Sequence, residues 1–371
     1  MLRILVIFFC LYFSFNFSFA QEQESPAIEE IIVNADYRLS DLNDIPSSVI
    51  ILDETLIQNR NAQHLEEVLL NAPNVNFSSG SSRARFFQIR GIGERGQFSE
   101  PLNSSVGVII DGIDFSGIGN ASMLYDIDQV EVFLGPQGTR YGSNALAGLI
   151  NLQSKAPTKD LSYGLKLESG DYNSNGLGGY LSGPLSERFS YRISAQQIKS
   201  DGFNMNRFLN DETNTRNERV VRGKINGELL DDVELDLTAS TIKLNNGYDA
   251  FSLNNDRDTL SDQPGSDLQD SELLSAKITV SRFKHFTFDT LLGYGDSHAE
   301  YSYDEDWVYD GFHPWGYSST DQYNRDRSTG STEFRFTSSE EGRILFDTTD
   351  WVFGFYYLGQ EESLERTYTF L

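Results

Sequence analysis

The stretch VVRGKINGELLDDVELDLTAS, residues 220–240, contains two runs in which apolar residues occupy every second position. Val221 and Ile225 alternate with polar or charged residues in the first run, and Val233 and Leu237 do so in the second. A period of two residues is typical of a β-strand with one apolar and one polar face. The short acidic break between the runs predicts a tight turn, so the stretch indicates an antiparallel hairpin.

The same alternation continues through residues 158–371, where we count about nine strands. The strands look about ten residues long, and aromatic residues cluster near their ends. Short turns are expected near 183–187, 230–232, 283–284 and 339–347, and long acidic loops near 201–217, 245–272 and 298–328. This pattern is typical of an outer-membrane β-barrel with a wet lumen and a lipid-facing apolar surface. A soluble β-sandwich is the alternative.

The strand count predicts an incomplete barrel. Bacterial single-chain barrels have an even number of strands, and an eight-stranded barrel is too narrow to hold another domain. The predicted fold is therefore an α+β domain followed by antiparallel transmembrane β-barrel strands. We expect a signal peptide at 1–20, a flexible segment at 21–44, the α+β domain at 45–157 and a partial barrel at 158–371.

The N-terminus predicts export. Arg3 precedes an apolar run, and Ser18-Phe19-Ala20 resembles a cleavage site. The single cysteine, Cys10, lies inside this segment, so the mature chain would carry no thiolate chemistry. An N-terminal membrane anchor is the alternative.

Composition narrows the function classes. The chain has 55 acidic and 29 basic residues, a net charge of −26, which argues against nucleic-acid binding. The segment RGIGERG at 90–96 fits a dinucleotide fingerprint, but no amphipathic helix is predicted after it. We find no nucleophile and base in a catalytic pattern, so we expect neither an enzyme nor a resident cofactor.

Three segments of the α+β region carry a family resemblance: IRGIG at 89–93, VIIDGI at 108–113 and IDQVEVFLGPQGTRYG at 127–142. The chain resembles the TonB-dependent outer-membrane receptors in these segments. Arg140 is a departure, since an apolar residue is commoner there. The resemblance implies a plug domain inside the barrel, an outer-membrane location with a periplasmic N-terminus, and active uptake of a scarce substrate, most often an iron chelate such as a ferric siderophore.

The resemblance also implies binding sites. The segment EIIVN looks like a TonB box, and its β-branched residues suit strand addition to the TonB energy-transducing protein. Its residues are Glu30, Ile31, Ile32, Val33 and Asn34. The plug loops 94–103 and 115–120 would face outward, and a loop near 301–317 is rich in aromatic residues that can stack on a flat ligand. The substrate-binding candidates are Glu94, Arg95, Gln97, Phe98, Phe115, Trp307, Tyr309 and Trp315.

Two groups of residues raise the question of metal binding. His64 and Glu67 lie one turn apart, and Asp304, Glu305, Asp306 and Asp310 cluster in the aromatic loop. For both groups we expect a solvated surface and no metal, since the acidic run lacks the register of an EF-hand. A passive porin-like or adhesin barrel with a periplasmic domain remains the main functional alternative, and it would not need the segment 29–35.

Export gives the first prediction. Protein extracted from the outer membrane should begin at Gln21, because cleavage is expected after Ala20. N-terminal sequencing of the extracted protein measures this. An uncleaved chain in the inner membrane would contradict it.

Overall fold

A computed structural model of the chain describes residues 32–33, 40–41, 47–79, 81–96, 103–119, 122–138, 142, 144–314 and 316–370. Several predicted features lie outside these residues: the signal peptide with Cys10, and Glu30, Ile31, Asn34, Gln97, Phe98, Arg140 and Trp315.

The N-terminal part is a small α+β domain built on a mixed five-stranded sheet. Its strands are β3 (Val49–Asp53), β6 (Val106–Ile110), β7 (Ile113–Asp114), β8 (Ile127–Leu134) and β9 (Gly148–Ser154), in the order β3-β8-β9-β6-β7. Helices α1 (Glu54–Asn59) and α2 (Leu65–Leu69) and the hairpin of β4 (Val75–Ser78) and β5 (Phe86–Ile89) complete it. In the described part of the chain, no helix is long and apolar enough to cross a membrane.

The central strands β8 and β9 are buried along most of their length, and both alternate apolar residues with buried polar ones such as Glu131 and Asn151. Val130, Val132, Ile150 and Leu152 are fully buried. The short helix α2 closes one side of the same core with Leu65 and its neighbours. Burial of this apolar area is the main source of stability of the domain.

The RGIGERG segment forms a tight turn. Arg90 and Gly91 both have positive φ, +53° and +81°, and Ile89 and Ile92 exchange main-chain hydrogen bonds of 2.9 and 3.0 Å across them. Two successive positive φ angles favour glycine. Among residues 91–96 there is no helix that could receive a pyrophosphate.

The C-terminal part is a nine-stranded sheet in which every neighbouring pair is antiparallel, as predicted. Its strands, in sheet order, are β10 (Ser162–Ser169), β11 (Asn175–Pro184), β12 (Phe189–Ser200), β15 (Arg216–Leu230), β16 (Val233–Tyr248), β18 (Gly265–Val280), β19 (Phe286–Asp304), β20 (Ser319–Ser338) and β21 (Val352–Phe370).

Burial alternates along these strands. On β12, Arg192, Ser194 and Gln196 are buried against the α+β domain, whereas Ile193 on the opposite face is 54% exposed. The face toward the domain is thus mostly polar, and the opposite face is mostly apolar and exposed, as expected for a lipid-facing surface. We call this nine-stranded sheet the wall. Near the turn ends of β19–β21, phenylalanine rings form a band: Phe286, Phe288, Phe334, Phe336 and Phe353.

The strands are longer than the sequence suggested. The six strands β15, β16, β18, β19, β20 and β21 contain 15–20 residues each, not about ten. Residues 265–272, 298–304 and 319–328, expected in loops, belong to strands instead. Their polar outer halves extend past the apolar band, which is why the hydrophobic pattern alone missed them.

The three long loops pack on one another. Short strands β13 (Asn204–Asn206), β14 (Asp211–Thr213) and β17 (Asp258–Thr259) join two of the loops in a small sheet. At the other end of the chain, β1 (Ile32–Val33) pairs only with β2 (Ser40–Asp41) within the described residues. Among the described residues, β1 is therefore not part of the sheet of the α+β domain.

Candidate functional site

The α+β domain is fastened to the inner face of the long sheet by an arginine. The guanidinium of Arg83, which follows β4, donates two hydrogen bonds of 2.7 and 2.6 Å to the carboxylate of Glu218 on β15. Both side chains are buried, at 1% and 0% exposure. A bidentate pair of this kind fixes geometry as well as distance.

Three further ion pairs join the domain to other strands. Arg192 on β12 donates to Asp126 at 2.8 and 2.5 Å. Arg222 on β15 lies 3.3 Å from Asp111, and Arg327 on β20 lies 3.3 Å from Asp114. We call these four ion pairs the anchors. They involve strands from β12 to β20, so the domain contacts a large part of the wall.

Glu66 and His64 extend the Arg83 anchor into the domain. His64 is fully buried and hydrogen-bonded to Glu66, and Arg83 contacts both Glu66 and Glu67, at 3.3 and 3.2 Å. Burial by itself raises the pKa of Glu66, but His64 and Arg83 outweigh it and lower that pKa to about 2. The expectation of a solvated face was wrong for His64, which is fully buried, whereas Glu67 is partly exposed and contacts Arg83.

A small arginine-lined cavity of about 30 Å³ lies between the outer loops of the domain and the wall. Arg85 comes from the domain, and Arg325 and Arg327 come from β20. Glu94 and Glu362 also line it, and Glu362 pairs with Arg325. Burial lowers the pKa of Arg85, and the carboxylates of Asp267 and Glu362 partly offset this effect. Guanidinium groups bind anionic oxygens through charge-assisted hydrogen bonds.

A second, larger cavity of about 460 Å³ lies deeper between domain and wall. Charged side chains of both signs line it, including Asp111, Lys224 and Arg335. Asp114 lines this inner cavity, and its partner Arg327 lines the outer one. The Arg327–Asp114 pair therefore lies at the boundary between the two cavities.

The predicted substrate residues of the domain do not all reach this region. Glu94 lines the outer cavity, but its carboxylate is engaged by Ser105, whose hydroxyl donates at 2.7 Å. Arg95 is exposed at the domain surface. Phe115 was predicted to face outward, and this prediction was wrong: at 1% exposure its side chain belongs to the hydrophobic core. The loop after it packs against the wall, where Ser116 accepts a hydrogen bond from Arg327.

The predicted aromatic residues of the wall pair with other loops. Trp307 stacks on Phe251 at 5.0 Å, and Tyr309 stacks on Phe208 at 4.6 Å. These contacts fasten the loops to one another, and Trp307 remains 38% exposed. Their role in substrate binding stays a prediction.

Sequence reasoning missed the cavity arginines. Arg325 and Arg327 lay in a segment read as loop, so their period-two spacing was not used. Had 319–338 been read as a strand, that spacing would have placed both on the face toward the domain. The residues around Arg85 in the sequence do not predict a binding role, because Arg85 meets Arg325 and Arg327 only through the packing of the domain on the wall.

The geometry defines a plug-and-barrel protein: a small domain held inside a wall of long antiparallel strands. Residues 41–149 match the family model described as the TonB-dependent receptor plug domain. The ferric enterobactin receptor PirA of Pseudomonas aeruginosa is 26% identical over 242 residues, covering 58% of this chain and 33% of that protein. The vitamin B12 transporter BtuB of Vibrio vulnificus is 24% identical over 195 residues, covering 51% and 31%.

Solved structures agree on the fold. The ferric yersiniabactin uptake receptor FyuA from Yersinia pestis matches with a TM-score of 0.72 at 18% identity, over 87% of this chain and 50% of that one. The chain thus spans about a third of the length of the curated relatives it matches. These matches confirm the resemblance to the TonB-dependent outer-membrane receptors, the plug-and-barrel fold class and the outer-membrane location.

The anchor gives the second prediction. Glu218→Gln should loosen the plug near Arg83, because removing one charge of a buried pair costs up to about 3–5 kcal/mol. Hydrogen exchange of residues 81–89 in the membrane-extracted receptor should rise by up to about a hundredfold to a few thousandfold, since each 1.36 kcal/mol is a factor of ten. Asp231→Asn is the matched control, because the Arg188–Asp231 pair is 51% and 87% exposed and should contribute little. Equal exchange in both variants would contradict the anchor role.

Proposed function

We propose that this chain is part of an active importer that takes an anionic iron chelate, a ferric siderophore, across the outer membrane with energy delivered by TonB. The observation that carries the proposal is the plug domain docked on the polar face of the wall through buried arginine–carboxylate pairs. A passive porin needs an open lumen, so a plug in this position favours gated transport over the passive alternative.

The chemistry of the outer cavity supports an anionic substrate. Arg85, Arg325 and Arg327 approach one small space beneath the outer loops. The relatives PirA and FyuA are named for ferric enterobactin and ferric yersiniabactin, and BtuB for vitamin B12. An arginine cluster distinguishes among such ligands by charge, since planar guanidinium groups bind anionic oxygens in pairs.

The same arginines offer a route from binding to plug release. Arg327 holds Asp114 and the Ser116 carbonyl of the plug. A substrate anion that accepts hydrogen bonds from Arg327 competes with Asp114 for the same donors. Binding would then weaken one plug anchor while the substrate is present, which is the differential interaction that any coupled change requires. The inner cavity beyond Asp114 lies next along this path.

The third prediction tests the substrate class. Arg85→Gln and Arg327→Gln in the full receptor should each weaken binding of ferric enterobactin by about tenfold or more, since each removes a charge-assisted donor. Lys243→Gln makes the same charge change on the outside of the wall, where the lysine is 46% exposed, and should leave binding unchanged.

Binding is measured with labelled ligand on whole cells, with vitamin B12 as the second ligand. Loss of vitamin B12 binding alone would move the substrate assignment away from iron chelates. No effect of either arginine change on any ligand would remove the cavity from the binding site.

We further propose that the segment at Glu30–Asn34 binds TonB by strand addition. Its described part, β1, is extended and has β2 as its neighbour within the described residues. Main-chain hydrogen bonds to an exposed strand do not depend on side-chain identity. The sequence can therefore join another sheet edge without a preformed pocket.

The fourth prediction tests this coupling. Ile32→Pro removes a main-chain donor and fixes φ, so uptake should fall to the level of a strain without TonB. Ile32→Val keeps the extended backbone and should transport normally. Surface binding of the ligand should survive both changes, because the outer cavity lies on the far side of the plug. Normal uptake by the proline variant would refute the coupling role and favour a passive barrel.

A further inference from the structure

The turn between β20 and β21 ends in a tip of exposed apolar side chains. Ile344, Leu345 and Phe346 are 50%, 67% and 98% exposed. Phe346 therefore has almost no contact with the rest of the described chain. Adjacent apolar side chains that are left exposed mark a surface that meets a partner protein or a lipid.

The backbone of this tip is strained. Leu345, Phe346 and Asp347 all have positive φ, +53°, +63° and +59°. Residues other than glycine are unfavourable in this region, and they persist where the surrounding structure enforces them. Below the tip, Ile344 and Thr349 exchange two main-chain hydrogen bonds of 3.0 and 3.1 Å. The turn thus holds its apolar side chains exposed at a cost in backbone energy.

The base of the turn is joined to the band of phenylalanine rings on the outward face of the wall. The indole N–H of Trp351 donates to the Gly342 carbonyl at 2.7 Å, and the ring of Trp351 lies 6.5 Å from that of Phe286 in the band. The Ser339 main-chain N–H donates to the His285 carbonyl at 3.0 Å, which joins the turn to the neighbouring one. The tip therefore continues the lipid-facing surface just beyond the strand ends.

The other three turns described at this end of the wall also carry a large exposed apolar residue. Leu185 lies in the turn after β11, Leu230 in the turn after β15 and Phe283 in the turn after β18, and they are 62%, 57% and 44% exposed. Phe283 stacks on Phe286 of the band at 4.7 Å. Exposed apolar residues thus follow the whole described rim of the wall.

The charged side chains of these turns pair between neighbouring turns. Arg188 lies 3.0 Å from Asp231, and Lys284 lies 2.8 Å from Glu341. Paired charges cost less free energy to bring out of water than single ones. The rim therefore combines apolar side chains with neutralised charges, a composition that suits a layer of zwitterionic lipid head groups.

We propose that the tip at 344–346 inserts into the periplasmic leaflet of the outer membrane, at the boundary between head groups and acyl chains. The short turns of outer-membrane barrels lie on the periplasmic side. A lipid boundary surrounds the wall, so it accounts for apolar residues in all four turns, whereas a partner protein would cover one side. Apolar side chains at such a boundary are buried about 5–10 Å deep. This contact is independent of the proposed transport function.

Site-directed spin labelling tests the position of the tip. Residues 21–371 contain no cysteine, so Phe346→Cys can be labelled without competition from this part of the receptor. The receptor is reconstituted in vesicles of phosphatidylethanolamine and phosphatidylglycerol. Power saturation then compares collisions of the label with oxygen, which dissolves in lipid, and with a nickel chelate, which stays in water. Glu212→Cys, in an exposed part of an outer loop, is the control.

The label at 346 should favour oxygen over the nickel chelate several-fold more than the label at 212 does. The same preference for the nickel chelate at both positions would place the tip in water and overturn the proposal. Exclusion of both reagents at 346 would place the tip against protein and overturn it as well.

Tryptophan fluorescence gives a second readout with a side chain close to the natural one. Phe346→Trp should add emission at short wavelength that phospholipids with brominated acyl chains quench, after subtraction of the wild-type signal. Glu212→Trp should add emission at long wavelength that these lipids leave unchanged. Both changes affect exposed residues, so both variants should fold. An equal response of the two variants to brominated lipid would refute insertion of the tip.

Discussion

The buried arginine–carboxylate pairs between plug and wall are the interaction on which the arrangement depends. Arg83–Glu218 and Arg192–Asp126 are both bidentate and shielded from water. Such pairs fix position strongly, yet their net free energy is small, because the desolvation of two charges offsets most of their attraction. These pairs therefore hold the plug in one position and can still be broken at a small cost in free energy. Separating an apolar interface of the same area would cost more.

This choice of interaction also explains the composition of the wall. The inner face of the wall is mostly polar, and most apolar residues of the strands face outward. The exception is an apolar patch that packs with the core of the plug: Ile198, Val220, Ile242, Leu244 and Leu273. Arg192 and Ile193 are adjacent in sequence and opposite in environment for this reason. The polar side chains of the wall strands therefore face the plug. Water can hydrogen-bond to these side chains when the ion pairs with the plug break.

The sequence predicted the architecture well, because architecture follows from periodicity and from glycine-rich turns. The nine strands, the α+β plug and the turn at Arg90-Gly91 could all be anticipated. The strand ends could not, since their outer halves are polar on both faces and resemble loops. The site was predicted less well: Phe115 is core, and Arg85, Arg325 and Arg327 converge only through long-range packing. Asp304 and Asp306 were expected in a solvated loop, but both are buried, at 5% and 6% exposure. Their burial results from packing between loops that are distant in sequence.

The length of the strands has a consequence for the cell surface. A 20-residue strand such as β20 runs roughly 65 Å along its axis, and even when tilted it stands well above an apolar band about 25 Å tall. The upper part of the wall is thus hydrogen-bonded main chain with the long loops packed on it. Any molecule that approaches the receptor from outside the cell contacts this part first. Mutations at its tips can therefore alter what attaches from outside while leaving the register in the lipid untouched.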